Sequence, residues 1–351
     1  MSDFQPSYDF AVIGHQPSWK TIVSILNNIR GEGFDPVKKD DITEIFSLFP
    51  PRILYNIEIY STFLKRNFKG AYIETFIDPD KLAGVYVKEN LAKVVRTVEL
   101  AIKKNIPIVS LGGFSSIVLE GNLDLLPDSD TTLFTTGNTL TTAFTLKSLM
   151  SYISNHQMDL SCKNVLILGG SGDIGLACAR YLHNKVGNLY LVARNLKRLQ
   201  KVSLKLGLEQ CLLSNDINKW ISDADIIISA TSSSSMELKG LKKGTVIFDV
   251  GYPSNIKMHE EVKENASVFQ SGMGMVNGGF KFSPDYQKDL YLFPSPKIAH
   301  GCALEAVVLA FENNHTSYSK GRGNITPSAI DYLYECSIKH GIQEAFLYPT
   351  T

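Results

Sequence analysis

The chain is short of cysteine, has no net charge and contains no long apolar run. Its five cysteines, Cys162, Cys178, Cys211, Cys302 and Cys336, are scattered, odd in number and without metal-ligand spacing. That excludes a disulfide framework and a structural zinc, implies no metal, and points to a reducing, cytoplasmic setting. Lys plus Arg and Asp plus Glu are 35 each, for a formal net charge of +0. No basic footprint is left for general nucleic-acid binding. No uninterrupted apolar stretch approaches the roughly 20 residues of a membrane-crossing helix. Peripheral membrane contact stays open. Residues Met1–Pro6 carry no basic region followed by an apolar core, so a secretory signal is not expected. Internal repeats and long low-complexity linkers are missing as well.

What is present is a globular composition. The 351 residues are 44% apolar, enough for two domains with a sizeable core. Residues 10–13 read as a short strand, and Ser18-Trp19 opens a helix reaching about Arg30. Alternation and β-branched content predict strands over 52–61 and 69–77. A long amphipathic helix is expected over 79–104, a strand over 107–111, and a helix over 138–156. Strands then recur at 165–168, 189–193, 225–229, 245–249 and 267–270, with helical patterns between the first four. That alternation predicts an α/β fold, with a doubly wound Rossmann domain following an N-terminal α/β domain. The tail is helical in pattern over 303–312 and 327–340. The expected boundaries are 1–158, 159–285 and 286–351.

The sharpest motif is Gly169-Gly170-Ser171-Gly172-Asp173-Ile174-Gly175. It follows the apolar run 164–168 and opens a helical stretch, the order that seats a dinucleotide's pyrophosphate on a helix N-terminus. Gly170, Gly172 and Gly175 fill the three glycine positions, with the tight turn at the first. The next strand ends in Arg194-Asn195, where an NAD site places a carboxylate. A carboxylate repels a ribose 2′-phosphate and a guanidinium grips it, so NADPH is the expected cofactor. Lys197 and Arg198 lie just beyond. The loop after the 225–229 strand, Ala230-Thr231 and the serines 232–235, has small hydroxyl residues suited to close approach of ribose and nicotinamide.

Four further segments carry candidate chemistry. Ser110-Leu111-Gly112-Gly113-Phe114-Ser115-Ser116 is a glycine turn after a strand. Residues Phe134-Thr135-Thr136-Gly137-Asn138-Thr139 offer hydroxyls, an amide and free N–H groups before a helix. Phe248-Asp249-Val250-Gly251-Tyr252-Pro253 ends another strand. Finally, His300-Gly301-Cys302 places a thiol at a predicted helix start, which lowers a thiol pKa from its usual ~8.5. His300 is the candidate base. Spacing alone leaves Cys302 as a small buried hydrophobe, the commoner fate of a lone cysteine. Tyr72 and Glu74 alternate with Ile73 on a strand, and Glu74 reads as an exposed strand face. Lys93, Arg96, Lys103 and Lys104 read as a solvated helix face.

Taken in order, these segments resemble the long-chain acyl-acyl-carrier-protein reductases of the cyanobacterial, fatty-aldehyde-forming type. The matching stretches are 111–117, 134–139, 169–175, 192–195, 251–255 and 302–306, with Ile13-Gly14-His15, Pro50-Pro51, 71–75, His315-Thr316 and 322–326. Ser171, Val250 and the run 232–235 depart from the pattern, and 28–39 and 280–296 match poorly. The resemblance implies an acyl-binding domain, an NADPH-binding Rossmann domain and a helical C-terminal part. It also implies Cys302 as nucleophile, attacking a fatty acyl thioester of carrier protein or coenzyme A and releasing an aldehyde to a downstream consuming enzyme. Oxyanion donors would come from the Cys302 helix start or from Thr135, Thr136 and Asn138, and substrate contacts from Tyr72, facing the acyl cavity, with Ser115, Ser116, Thr135, Thr136 and Asn138. Two rivals are a shikimate-like or folate-like two-domain dehydrogenase and a non-catalytic NADP(H) sensor.

Overall fold

The computed structural model describes residues 7–16, 18–46, 48–81, 86–113, 115–116, 125–231, 236–251, 254–285, 295 and 297–346. Met1–Pro6, Phe114, Ile117, the serines 232–235, Tyr252 and Pro253, all read above, lie outside the described residues. The chain is a mixed α/β protein built from two compact units. One comprises residues 1–137, 276–321 and 339–342; the other comprises 138–275, 322–338 and 343–351.

The first unit holds a six-stranded sheet. Its strands are β1 (Phe10–Gly14), β2 (Arg52–Ser61), β3 (Arg66–Glu74), β4 (Ile108–Leu111), β5 (Leu133–Thr135) and a returning strand, Phe280–Ser283. The spatial order is Phe280–Ser283, β2, β3, β1, β4, β5. Strands β3, β1, β4 and β5 run parallel, while β2 and Phe280–Ser283 are antiparallel additions at one edge. One face, with Ala11, Ile13, Ala71, Ile73 and Val109, packs on Val94, Val98 and Ala101 of the helix Val87–Lys103. The other face receives the helix Gly301–Phe311, which lies over β1 and β4. Order β3-β1-β4 reverses direction of progress at β1 and β4, and the crevice beyond their carboxyl ends is where open α/β sheets bind ligands.

The second unit contains six parallel strands: β6 (Asn164–Leu168), β7 (Asn188–Val192), β8 (Leu212–Ser214), β9 (Ile226–Ser229), β10 (Thr245–Asp249) and β11 (Ala266–Gln270). Their order, β11-β10-β9-β6-β7-β8, is the dinucleotide-binding arrangement with its switch point between β6 and β9. Continuous burial of β6, β9 and β10 fits strands covered on both faces.

Several expectations need correction. Strand β3 stops at Glu74, three residues early, because Phe76 adopts φ +52 and turns the chain. The expected 79–104 helix is a short 3₁₀ turn, Pro79–Lys81, and a helix over Val87–Lys103. Between β9 and β10 no helix occurs among the described residues; Gly240 and Gly244 take φ +78 and +84 there, which breaks helical progression. The pairing of Phe280–Ser283 with β2 has no local signal. The helix Asn138–Asn155 belongs to the second unit, which begins at residue 138. The tail is no separate block. Its helix Gly301–Phe311 buries Leu304, Val308 and Phe311 in the first unit, and Pro327–Lys339 falls almost wholly in the second. No described helix is long and apolar enough to cross a membrane.

Candidate active site

Two clusters gather the residues singled out by sequence, one in each unit. In the first unit the helix Gly301–Phe311 starts at the crevice beyond β1 and β4. His300 caps it with extended backbone and no side-chain capping bond. Its first N–H groups therefore lack intrahelical partners. Cys302 sits in that first turn, half-buried. The backbone N–H groups of Gly113 and Ala303 lie against its sulfur. Ser110 Oγ donates to the Cys302 carbonyl at 2.5 Å. Gly137, at φ +71, packs so closely that a Cβ would stand 2.3 Å from Cys302 Cα. Only glycine meets both demands there.

The helix start does not lower the thiol pKa as expected. Burial pushes it up, the N–H groups of Gly113 and Ala303 oppose this, and the Glu305 carboxylate adds to the rise; the result is above the ordinary thiol value. Glu305 is itself fully buried. It accepts from Thr135 Oγ1 in a short contact and from Ser319 Oγ at 3.2 Å. The Thr135 hydroxyl proton is thus committed to Glu305. Thr136 is buried, its N–H reaching Ser319 O at 3.4 Å. Ser116 Oγ donates to Gly113 O at 2.8 Å. Ser115 Oγ is buried and has no hydrogen-bond partner among the described residues.

Two histidines flank this turn. His300 is pushed down to about 4 by burial, which makes it a poor base. His15, which follows β1, was not singled out as catalytic by sequence. Its Nδ1–H donates to Gln16 O at 3.0 Å, which makes Nε2 the acceptor nitrogen of the neutral ring. Nε2 lies 3.6 Å from the position a Gly113 Cβ would take, beside the same glycine whose N–H meets the Cys302 sulfur. Burial lowers its pKa, so it is neutral at pH 7. Its signal was positional: a histidine just past a parallel strand, at the switch point.

A narrow apolar cavity adjoins the site. Phe10, Val12, Ile57, Ile59 and Phe282 line it from the sheet, and Ala303, next to Cys302, lines it from the helix. Tyr72 is half-buried, stacked on Tyr55 with centroids 4.6 Å apart. Its hydroxyl donates to Glu74 Oε2 at 3.2 Å. Glu74 is buried, not exposed as expected. Lys93 is likewise drawn off the solvated face, donating to Phe76 O at 3.0 Å.

In the second unit the glycine turn joins β6 to the helix Asp173–Leu182. The tight turn falls one residue earlier than the motif reading placed it. Gly169 takes φ +86, and a Cβ there would lie 2.3 Å from Ala230 O at the end of β9. A Cβ on Gly175 would lie 2.4 Å from Gly169 O, so the helix sits directly on the turn. Gly172 is the helix cap, with no side chain between a ligand and the first N–H groups. Ser171 Oγ accepts from Arg198 at 3.2 Å, placing a guanidinium against the turn. Arg194 is exposed beyond β7, and Asn195 caps the helix Leu196–Lys205 through Arg198 N at 2.9 Å. Asp173 is held by Asn138 Nδ2 at 3.0 Å, which puts Asn138 with the glycine turn. Ile174 lies in the first turn of the same helix. Thr231 accepts at its carbonyl from Asn255 Nδ2 at 3.0 Å. A cradle without side chains, donor N–H groups and adjacent guanidinium fits a dinucleotide phosphate group. No group of three or more His, Cys, Asp or Glu placed to hold a metal occurs among the described residues.

Fold and glycine cradle are those of the Rossmann oxidoreductases, with a turn that fits a dinucleotide. The Shikimate / quinate 5-dehydrogenase family profile matches residues 152–271, within the second unit. A long-chain acyl-[acyl-carrier-protein] reductase of Synechococcus elongatus is 32% identical over 95% of this chain and 98% of its own length. The chain belongs to that reductase family. The Serratia aminotransferase PigE is 26% identical over 73% of this chain and 30% of its own. Quinate dehydrogenase from Corynebacterium glutamicum is similar at 13% identity and a TM-score of 0.34, over 70% of this chain and 80% of that one; a likeness that low places no residue.

Proposed function

We propose that the protein reduces a long-chain acyl thioester, carried by acyl-carrier protein or coenzyme A, to a fatty aldehyde through an acyl-enzyme on Cys302, with NADPH as reductant. One observation carries this: a thiol at a helix start, under two backbone N–H groups, next to an apolar cavity. The Cys302 sulfur attacks the acyl carbonyl. A carbon–sulfur bond forms, the bond to the carrier sulfur breaks, and the carrier leaves as its thiol. Covalent capture divides one hard step into two. Because burial holds the thiol protonated, a base is needed; His15 Nε2 takes the proton and returns it to the leaving sulfur. The Ser115 hydroxyl, unspent within the fold, donates to the carbonyl oxygen as it becomes anionic.

When bound, the nicotinamide supplies the hydride. Gly169–Gly175 and the helix start hold its phosphates, Arg194 and Arg198 its 2′-phosphate, and Thr231 lies where ribose approaches. The described cysteines form no disulfide, which supports a cytoplasmic setting, and the apolar product suits a consuming enzyme that takes it directly.

Incubating the protein with an acyl thioester and no reductant should add one acyl mass to the Cys302 peptide. Cys302→Ala should form neither adduct nor aldehyde while still binding NADPH. Aldehyde formation by Cys302→Ala at the wild-type rate would refute the acyl-enzyme. A shikimate-like dehydrogenase, the reading the family profile favours, would keep its activity after cysteine alkylation.

A further inference from the structure

Two apolar cavities lie along the first unit's sheet, and a pair of tyrosines lies between their linings. The first is the cavity beside Ala303. The second is lined by Ile22, Ile25, Leu26 and Phe46 on two helices, with Gln16 and Glu74 as its polar members. The sheet register explains the arrangement. Val12, in the lining of the first cavity, pairs with Tyr72, and Gly14 pairs with Glu74. Tyr55 pairs with Tyr72, and Ile57 with Gly70, across β2 and β3. Paired residues share a face and residues two apart on a strand follow one another along it. The tyrosine row therefore stands between the row of Ile57 and Phe10, on the first cavity, and the row of Glu74, on the second.

The contacts agree. Tyr55 meets Phe282, a lining residue of the first cavity, edge to face at 5.1 Å. On the other side Tyr72 bonds Glu74, and Gln16 Nε2 bonds both Tyr72 Oη at 3.2 Å and Glu74 Oε2 at 2.8 Å. Gly14 makes room for this: a Cβ there would stand 2.8 Å from Tyr72 Oη. Tyr72 is therefore pinned at both its ring and its hydroxyl.

Building on the acyl-enzyme reading above, we propose that the Tyr55–Tyr72 stack is a partition that ends the acyl-binding space at the first cavity and so sets the longest chain accepted. A hydrocarbon end cannot pass two stacked rings. Beyond them it would meet Gln16 and Glu74, polar groups that lose their bonds without gaining new ones. Burial pushes Glu74 up to about 7, so the second cavity carries less charge near neutral pH than an ordinary carboxylate would give it. Once the partition is removed, that cavity becomes usable by a longer chain.

The test is the chain-length profile of aldehyde formation with a graded series of saturated acyl-carrier-protein thioesters. Tyr72→Ala and Tyr55→Ala should move the optimum to longer chains, with kcat/KM for the longer substrates rising about fourfold per extra buried methylene. Tyr72→Phe, which keeps the stack, should retain the wild-type profile. Active alanine variants with an unchanged profile would overturn the partition. For variants that do not fold, wild type answers alone. A chain with a diazirine at its methyl end, loaded on Cys302, should crosslink at Ile57, Ile59, Phe282 or Tyr55. Crosslinks at Ile22, Ile25 or Leu26 would overturn the proposal. Failure of wild type to load any acyl chain on Cys302 would instead overturn the reading on which the partition rests.

Discussion

Cys302 is held by opposing forces of unequal size. Two N–H groups favour its thiolate, but burial and the Glu305 carboxylate win, so the resting sulfur is protonated. The pKa is raised, so the thiolate gains only as pH climbs past the ordinary thiol range near 8.5. Alkylation by iodoacetamide, followed by mass at the Cys302 peptide, should still be rising at pH 9. A plateau below pH 8 would show the helix start dominating after all. This is where sequence reading ended. A cysteine after glycine and before an apolar helix was legible, as were the glycines at 169–175. The sign of the shift was not, because it is set by burial, which depends on elements such as the Gly113 turn nearly two hundred residues away in the chain. Glu74 failed for a related reason: alternation says which face a residue shares, not whether another element covers that face.

Elements were legible wherever local chemistry fixed their ends. Ser18 accepts from Thr21 N and starts the helix Trp19–Arg30 where expected. The absence of a carboxylate after β7 was readable, and Asn195 proved to be a helix cap as well as a cofactor candidate. Strand Phe280–Ser283 was illegible since its partner β2 lies more than two hundred residues upstream. The turn at Gly137 is an element whose failure reaches the site directly. Gly137→Ala meets both a left-handed backbone, worth about 1–2 kcal/mol, and the Cys302 backbone at 2.3 Å. Gly207→Ala meets a similar φ, +69, with nothing within 4 Å. Both should lower the thermal midpoint, and Gly137→Ala should also cut Cys302 acylation at least tenfold. Equal behaviour of the two variants would remove the close approach from the account.

At the scale of the whole molecule, the first unit is assembled from three separated stretches of chain. A buried polar relay fastens the last of them. Ser61 O–H donates to His340 Nδ1 at 2.7 Å, and His340 Nε2–H donates to Glu312 Oε1. Ser61 and His340 are almost fully buried, so this relay is a fastening and not a second reaction centre. Ser61→Ala leaves His340 Nδ1 without its donor and should cost about 1–3 kcal/mol in chemical denaturation. Acylation of Cys302 should persist in the folded variant. An unchanged unfolding midpoint would show the relay to be idle. The glycine motif was readable from local spacing. The interleaving was not, because sequence periodicity carries no record of which distant strands meet.

That interleaving has a consequence during synthesis. Strands β1 to β5 leave the ribosome early, yet the helix that covers one face of their sheet and the segment at His340 arrive much later. At roughly 5–20 residues per second, the nascent sheet waits on the order of ten to forty seconds with Phe10, Ile57 and Ile59 uncovered. A growing polypeptide in that condition calls for a chaperone holding it until its final residues emerge.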